Sequence, residues 1–339
     1  MIEQQLFSHC GRECTPCHFY LKDLCYGCNN GCSAPGICRN NCTKCGYLCR
    51  NRPGVHNVLN AIGGPGFPAL NKPPTPWPGD TPDLLPAVAA RFSTEPTPGS
   101  LPWVAINAAR MVISRNFKTG GLRRKNGSIR EFARIHLDTS MVMHMYIPDP
   151  PLEAFWRTRR EIYPSLREFD LVIAPNFSLY EDSPRFEHLI NIKRSALVYS
   201  EMLHLGIRAI PDVSWATYKD LNRWAKYINT YNIPVISTSI QTVRQNAGNY
   251  WRVYLKGIQH LSSKLSLETV IIIVGAGSVE KMKAIKSRIP QRVVFLTTQP
   301  FLLSRKGRLI DRQKALGDKD YDAWFFENIR LLRENLKVE

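Results

Sequence analysis

The sequence predicts an α/β protein, a parallel (βα) barrel or incomplete barrel, preceded by a small Cys-rich metal-binding module. Three observations carry this reading. From residue 104 onward, short apolar runs alternate with helical patterns at intervals of roughly 25 to 35 residues, the rhythm of βα units in a parallel sheet. All ten cysteines fall between Cys10 and Cys49. A Pro- and Gly-rich stretch separates the two zones.

Residues 1–50 form the first zone. The cysteines are Cys10, Cys14, Cys17, Cys25, Cys28, Cys32, Cys38, Cys42, Cys45 and Cys49. A segment of about fifty residues cannot bury enough apolar surface to fold unaided, so disulfides or metal must cross-link it. Met1 to Phe7 has neither a basic start nor an apolar run, which leads us to expect a cytoplasmic protein, and clustered thiols in a reducing compartment are metal ligands. Three C-x2-C pairs suit tetrahedral zinc. The triplets Cys10/Cys14/Cys17 and Cys38/Cys42/Cys45 suit iron–sulfur clusters, [4Fe–4S] first among them. Iron–sulfur is the first expectation and structural zinc the alternative.

Residues 51–103 hold Gly63-Gly64-Pro65-Gly66, Pro73-Pro74-Thr75-Pro76 and Pro96-Thr97-Pro98-Gly99. Proline fixes φ and removes a donor, so this zone reads as a linker or as an extended wrap around the next domain. The body follows, over 104–339. Its candidate strands are His144–Ile147, Leu171–Ala174, Arg208–Ile210, Val235–Ser237, Val270–Val274 and Val293–Leu296. Apolar residues recur with helical spacing over Leu152–Leu166, Pro184–Leu205, Thr217–Tyr231, Trp251–Leu261 and Val279–Arg288. An open doubly wound sheet also fits these units; a barrel is favoured. Trp324, Phe325, Ile329, Leu332 and Leu336 mark a C-terminal helix packed on the body, with a partner-binding helix as the alternative.

In either architecture ligands bind where the strands end. The residues just past each strand are Asp149; Asn176, Tyr180 and Asp182; Asp212, Ser214 and Trp215; Ser239 and Gln241; Gly275 and Gly277; and Thr298 and Gln299. Asp149, Asp182 and Asp212 are candidates for general acid/base or nucleophile, with Tyr180 and Asn191 beside them and Arg194 on a phosphate. Gly275-Ala276-Gly277 lacks the third glycine and the Lys-Ser/Thr pair of a nucleotide-binding turn. No HExxH or GxSxG motif occurs.

The chain has 45 Lys and Arg against 28 Asp and Glu, a net charge of +17. Arg115, Lys118, Arg123, Arg124, Lys125 and Arg130 cluster in a Gly-containing segment suited to tracking a phosphate backbone. Arg157, Arg159 and Arg160 form a second cluster, and Arg305, Lys306, Arg308, Arg312 and Lys314 a third. A nucleic-acid partner follows from these clusters. No apolar run reaches the roughly 18 to 20 residues of a membrane span. The sequence does not specify protein partners.

Three motifs in the body resemble a known family. They are His144-Met145-Tyr146-Ile147-Pro148-Asp149 with Glu153 and Trp156; Ala174-Pro175-Asn176-Phe177-Ser178-Leu179-Tyr180-Glu181-Asp182-Ser183-Pro184 with Asn191 and Arg194; and Gly206-Ile207-Arg208-Ala209-Ile210-Pro211-Asp212-Val213-Ser214-Trp215. Together, over about residues 135–300, they resemble domain of unknown function 4417, frequent in phages and other bacterial mobile elements. The resemblance implies a mobile-element context and no particular activity. The family has Asp at the position of Asn176 and Thr or Asn at that of Asp212, so the chain departs from the pattern at both. The C-x3-C-x2-C triplets also resemble the radical S-adenosylmethionine signature. That signature follows the first barrel strand, whereas here the cysteines precede every candidate strand. The expectation is a metal-containing protein of phage type that binds and processes or modifies nucleic acid. A non-catalytic nucleic-acid adaptor with a structural zinc module is the first alternative, a radical-type iron–sulfur enzyme the second.

Overall fold

A computed structural model describes residues 61–113, 121, 127–180, 185–241, 249–310 and 320–337. The ten cysteines, Asp182, Arg115, Lys118, Arg123, Arg124 and Lys125 lie outside the described residues.

Eight strands make one all-parallel sheet: β1 (Leu84–Val88), β2 (Trp103–Asn107), β3 (Ser140–His144), β4 (Leu171–Ile173), β5 (Ala209–Ile210), β6 (Val235–Ser239), β7 (Val270–Val274) and β8 (Val293–Thr297). Each strand pairs with its sequence neighbours, and β1 pairs with β8. The remaining edges, β5 and β6, meet where Asp212 and Ser237 form a parallel bridge. There Val213 N–H donates to Ser237 O at 2.7 Å and Ser237 N–H to Pro211 O at 3.0 Å. The sheet thus curls into an α/β barrel, as the strand–helix rhythm predicts.

Alternation along the strands sorts side chains into two cores. Leu85, Ala87, Trp103, Ala105, Val142, Leu171, Ile173, Ile210, Val235, Ile272, Val274, Val294 and Leu296 cluster with Tyr146 inside the barrel. Outward residues such as Val104, Met141, Met143, Val172, Ile236, Ile271, Ile273 and Phe295 pack against the helices. These helices are α1 (Ala108–Met111), α2 (Ile129–Ala133), α3 (Asp149–Leu166), α4 (Arg185–His204), α5 (Tyr218–Thr230), α6 (Asn249–Ser262), α7 (Val279–Lys286), α8 (Gln299–Ser304) and α9 (Tyr321–Lys337). Helix α9 buries Phe325, Ile329 and Leu332 against the body, as its apolar spacing predicts.

Two sequence expectations need correction. The 51–103 zone, read as linker or wrap, supplies β1, and β2 begins at its last residue. Pro86 masks β1, because a proline within a run argues against an interior strand. The third strand runs Ser140–His144 rather than His144–Ile147. Its register places Val142 and His144 inward, and the apolar Met145-Tyr146-Ile147 run continues beyond the strand end. The wrapping alternative does describe residues 65–69. Arg223 donates to Pro65 O at 2.7 Å, Lys193 donates to Gly66 O, and the Ser200 hydroxyl donates to Ala69 O at 3.2 Å. Phe67 packs on Trp224 with ring centroids 4.5 Å apart. This strap lies along α4, whose residues from Glu187 to Tyr199 are buried apart from half-buried Leu197, polar ones included.

Among the described residues no helix is long and apolar enough to cross a membrane.

Candidate functional site

The eight strands contain no Lys, Arg, Asp or Glu. The polar chemistry therefore lies at and just past the strand ends. The largest concentration is at the β5–β6 seam. Asp212 follows β5 and is fully buried. The Tyr146 hydroxyl donates to its Oδ1 at 2.7 Å and lies 3.0 Å from Ser237 Oγ. Asn176 Nδ2 donates to its Oδ2 at 2.9 Å. Ser237 in turn donates to Pro211 O at 3.1 Å. Tyr146 and Asn176, from the loops after β3 and β4, thus converge on the Asp212 carboxylate, and Ser237 of β6 borders the Tyr146 hydroxyl.

No Lys or Arg pairs with Asp212 among the described residues. Burial pushes its carboxyl up to about 7, against the downward pull of the bonds from Tyr146 and Asn176. Burial, then the nearby Asp212 charge, pushes the Tyr146 hydroxyl well above its ordinary range. Near neutral pH, Tyr146 is thus a fixed donor and Asp212 a group that gains and loses a proton. That combination suits general acid–base work.

A second polar cluster lies over α3 and α4. Asp149, the first residue of α3, accepts hydrogen bonds from the Ser178 hydroxyl at 2.5 Å and from the Tyr180 hydroxyl. Asn191 Nδ2 donates to Ser178 O at 2.9 Å. Arg194 is only 2% exposed and donates twice to Glu153, at 2.8 and 2.9 Å. Its guanidinium lies 3.9 Å from the Phe177 ring centroid and 4.6 Å from that of Trp156. Arg194 is therefore engaged within the fold by Glu153 and the Phe177 ring, and with Asn191 it packs on the 174–180 loop. Through that loop it sets Asn176 against Asp212.

Other rim expectations divide. Ser239 and Thr298 sit half-buried at strand ends, as does Asn107, which the sequence reading did not include. Trp215 turns outward: its indole stacks on Tyr254 with centroids 6.5 Å apart and occupies the space a Cβ at Gly257 would need, 2.3 Å away. Gly275 has φ +87°, and a Cβ there would meet Gln241 Cγ at 2.4 Å, so glycine lets the ends of β6 and β7 approach. Arg130 donates to His136 O at 2.6 Å and Thr139 O at 2.8 Å, securing a turn. Arg159 forks onto Glu201 at 2.7 and 3.0 Å. Arg157, Arg160, Arg305, Lys306 and Arg308 are exposed. Among the described residues no group of three or more His, Cys, Asp or Glu is placed to hold a metal.

Sequence reasoning named Asp212 and Asn176 but not their contact, and gave no role to Tyr146, Ser237 or His144. The available signal was inward alternation: Val142, His144 and Tyr146 are successive inward positions once the β3 register is known.

The molecule is thus a parallel α/β barrel with an ionisable carboxyl group at the C-terminal end of its strands, where barrel enzymes place their chemistry. Residues 128–288 of this barrel match the family model described as Domain of unknown function (DUF4417), which bears out the resemblance read from the three motifs. The matched segment runs from α2 to α7 and carries Tyr146, Asn176, Asp212 and Ser237. The "Gene 1 protein" of Mycobacterium phage D29 is 27% identical over 88 residues, 26% of this chain and 32% of that protein. The alignment thus spans about a third of the phage relative's length.

Proposed function

We propose that this is a phage-type barrel enzyme that performs general acid–base chemistry on nucleic acid or its nucleotides, with Asp212 exchanging the proton. The observation that carries the reading is Asp212 itself, buried at the C-terminal ends of the strands and pushed up to about 7. Tyr146 and Asn176 orient its two oxygens. A second observation supports it. The two positions where the chain departs from the family pattern are hydrogen-bonded partners, so the pair keeps one carboxylate on the other strand. The net charge of +17 supports a polyanionic substrate. The cysteine spacing supports an iron–sulfur or zinc module, whose role in this reading is to fold residues 1–50 and dock the substrate.

The test is turnover by the full chain on single- and double-stranded DNA and RNA and on mononucleotides, wild type against Asp212→Asn. Asp212→Asn is expected to abolish conversion and to leave salt-dependent binding intact. Conversion unaffected by Asp212→Asn would sink the reading. Binding without conversion in either form would favour the adaptor alternative. Metal analysis and a visible spectrum of anaerobically purified protein distinguish iron–sulfur, which absorbs near about 400 nm, from colourless zinc.

A further inference from the structure

His144 is the one ionisable residue in the eight strands. It is 0% exposed, and neither ring nitrogen has a hydrogen-bond partner. Leaving a buried polar group unpaired is costly, and here both ends of one ring are unpaired. Register places the ring inside the barrel. Val142 belongs to the inner core, and His144 is the next residue on that face, one pleat below Tyr146. The His144 and Tyr146 ring centroids lie 6.2 Å apart. On one side His144 pairs with Asn107, which is half-exposed, and on the other with Ile173. The layer beneath contains Ala87, Ala105 and Val142 in register, all in the inner core.

We propose that His144 is the floor of the ligand site in the barrel mouth and receives an uncharged, hydrogen-bonding heterocycle, the chemical class of the nucleobases. The inference deepens the functional reading above and rests on it for the substrate polymer. The chemistry of the floor selects the class. A neutral imidazole offers one donor and one acceptor on opposite edges of a flat ring. Asn107, the register neighbour of His144 on β2, adds an amide beside it. With no Lys or Arg in any strand, a phosphate has no partner at this depth and is left to the basic residues outside. Burial, which holds the His144 ring neutral, agrees with such a ligand.

The experiment uses the full chain labelled with 15N-histidine. Adenosine, guanosine, cytidine, uridine and free ribose are titrated to millimolar concentration. Loss of a resonance in His144→Gln and His144→Phe assigns the signal. At least one nucleoside should shift the His144 ring nitrogens, ribose should not, and His144→Phe should weaken nucleoside binding at least tenfold. His144→Gln, which keeps a donor and an acceptor, should recover part of that loss. The wild-type shifts remain informative if a variant fails to fold. A silent His144 resonance with every nucleoside, an equal response to ribose, or unchanged affinity in His144→Phe overturns the proposal. Two outcomes separate it from the Asp212 reading. Conversion that needs Asp212 while His144 stays silent leaves only the earlier reading. A responding His144 with a dispensable Asp212 leaves only this one.

Discussion

Asp212 and His144 should make opposite contributions to stability over the same pH range. Asp212 rises from an ordinary 3.8 to about 7 on folding, so from pH 3.8 to 7 the folded state holds a proton that the unfolded state has released. Its stabilising contribution is complete below the unfolded value and is lost as pH climbs toward 7, at about 1.4 kcal/mol per pH unit. The total is about 4 kcal/mol. His144 falls from 6.5 to about 4, so between those values the unfolded chain binds the extra proton. Stability therefore rises with pH across that window, by about 3 kcal/mol in all. Both groups are fully buried, and their slopes nearly cancel between pH 4 and 6.5. Single substitutions should expose them. Urea unfolding followed by tryptophan fluorescence at pH 4.5, 5.5, 6.5 and 7.5 is the assay. Asp212→Asn should gain on wild type by about 1.4 kcal/mol per unit as pH rises toward 7. His144→Gln should lose ground at about the same rate up to pH 6.5, and the double variant should track wild type below that pH. Differences that stay constant with pH would refute the account of two buried groups shifted in opposite directions.

Other consequences follow from the packing around the site. Tyr146→Phe removes a bond that pulls Asp212 downward, so the end of the Asp212-dependent decline should move to higher pH in the same unfolding series. Gly257→Ala places a methyl 2.3 Å from the Trp215 ring; it should cost about 1–3 kcal/mol in thermal melts, and Trp215→Leu should relieve it. Arg194→Ala strips Glu153 of its partner and Phe177 of its stacked cation. About 2–4 kcal/mol should be lost, with faster hydrogen exchange over Phe177–Tyr180. On the proposed metal-module reading, Cys42→Ser with Cys45→Ser should lower the iron or zinc content found by elemental analysis.

What the sequence by itself determined was local. The spacing of apolar residues reports which face of a segment is buried, so the helices from Asp149 to Lys286 and the later strands were legible to within a few residues. The positional rule for parallel sheets then picked out Asn176 and Asp212, because each lies just past a strand. Strand β1 was hidden, since Pro86 defeats a rule based on backbone donors; pairing with β8 and β2 accommodates it. Tertiary structure alone decided closure and partnership. Tyr146 and Asp212 are 66 residues apart, and Asn176 and Asp212 are 36 apart. No periodicity connects such positions; the register between strands and the curvature that joins β5 to β6 bring them together. Curvature also turned His144 into a barrel-interior residue, because inward and outward acquire different meanings only once a sheet has closed.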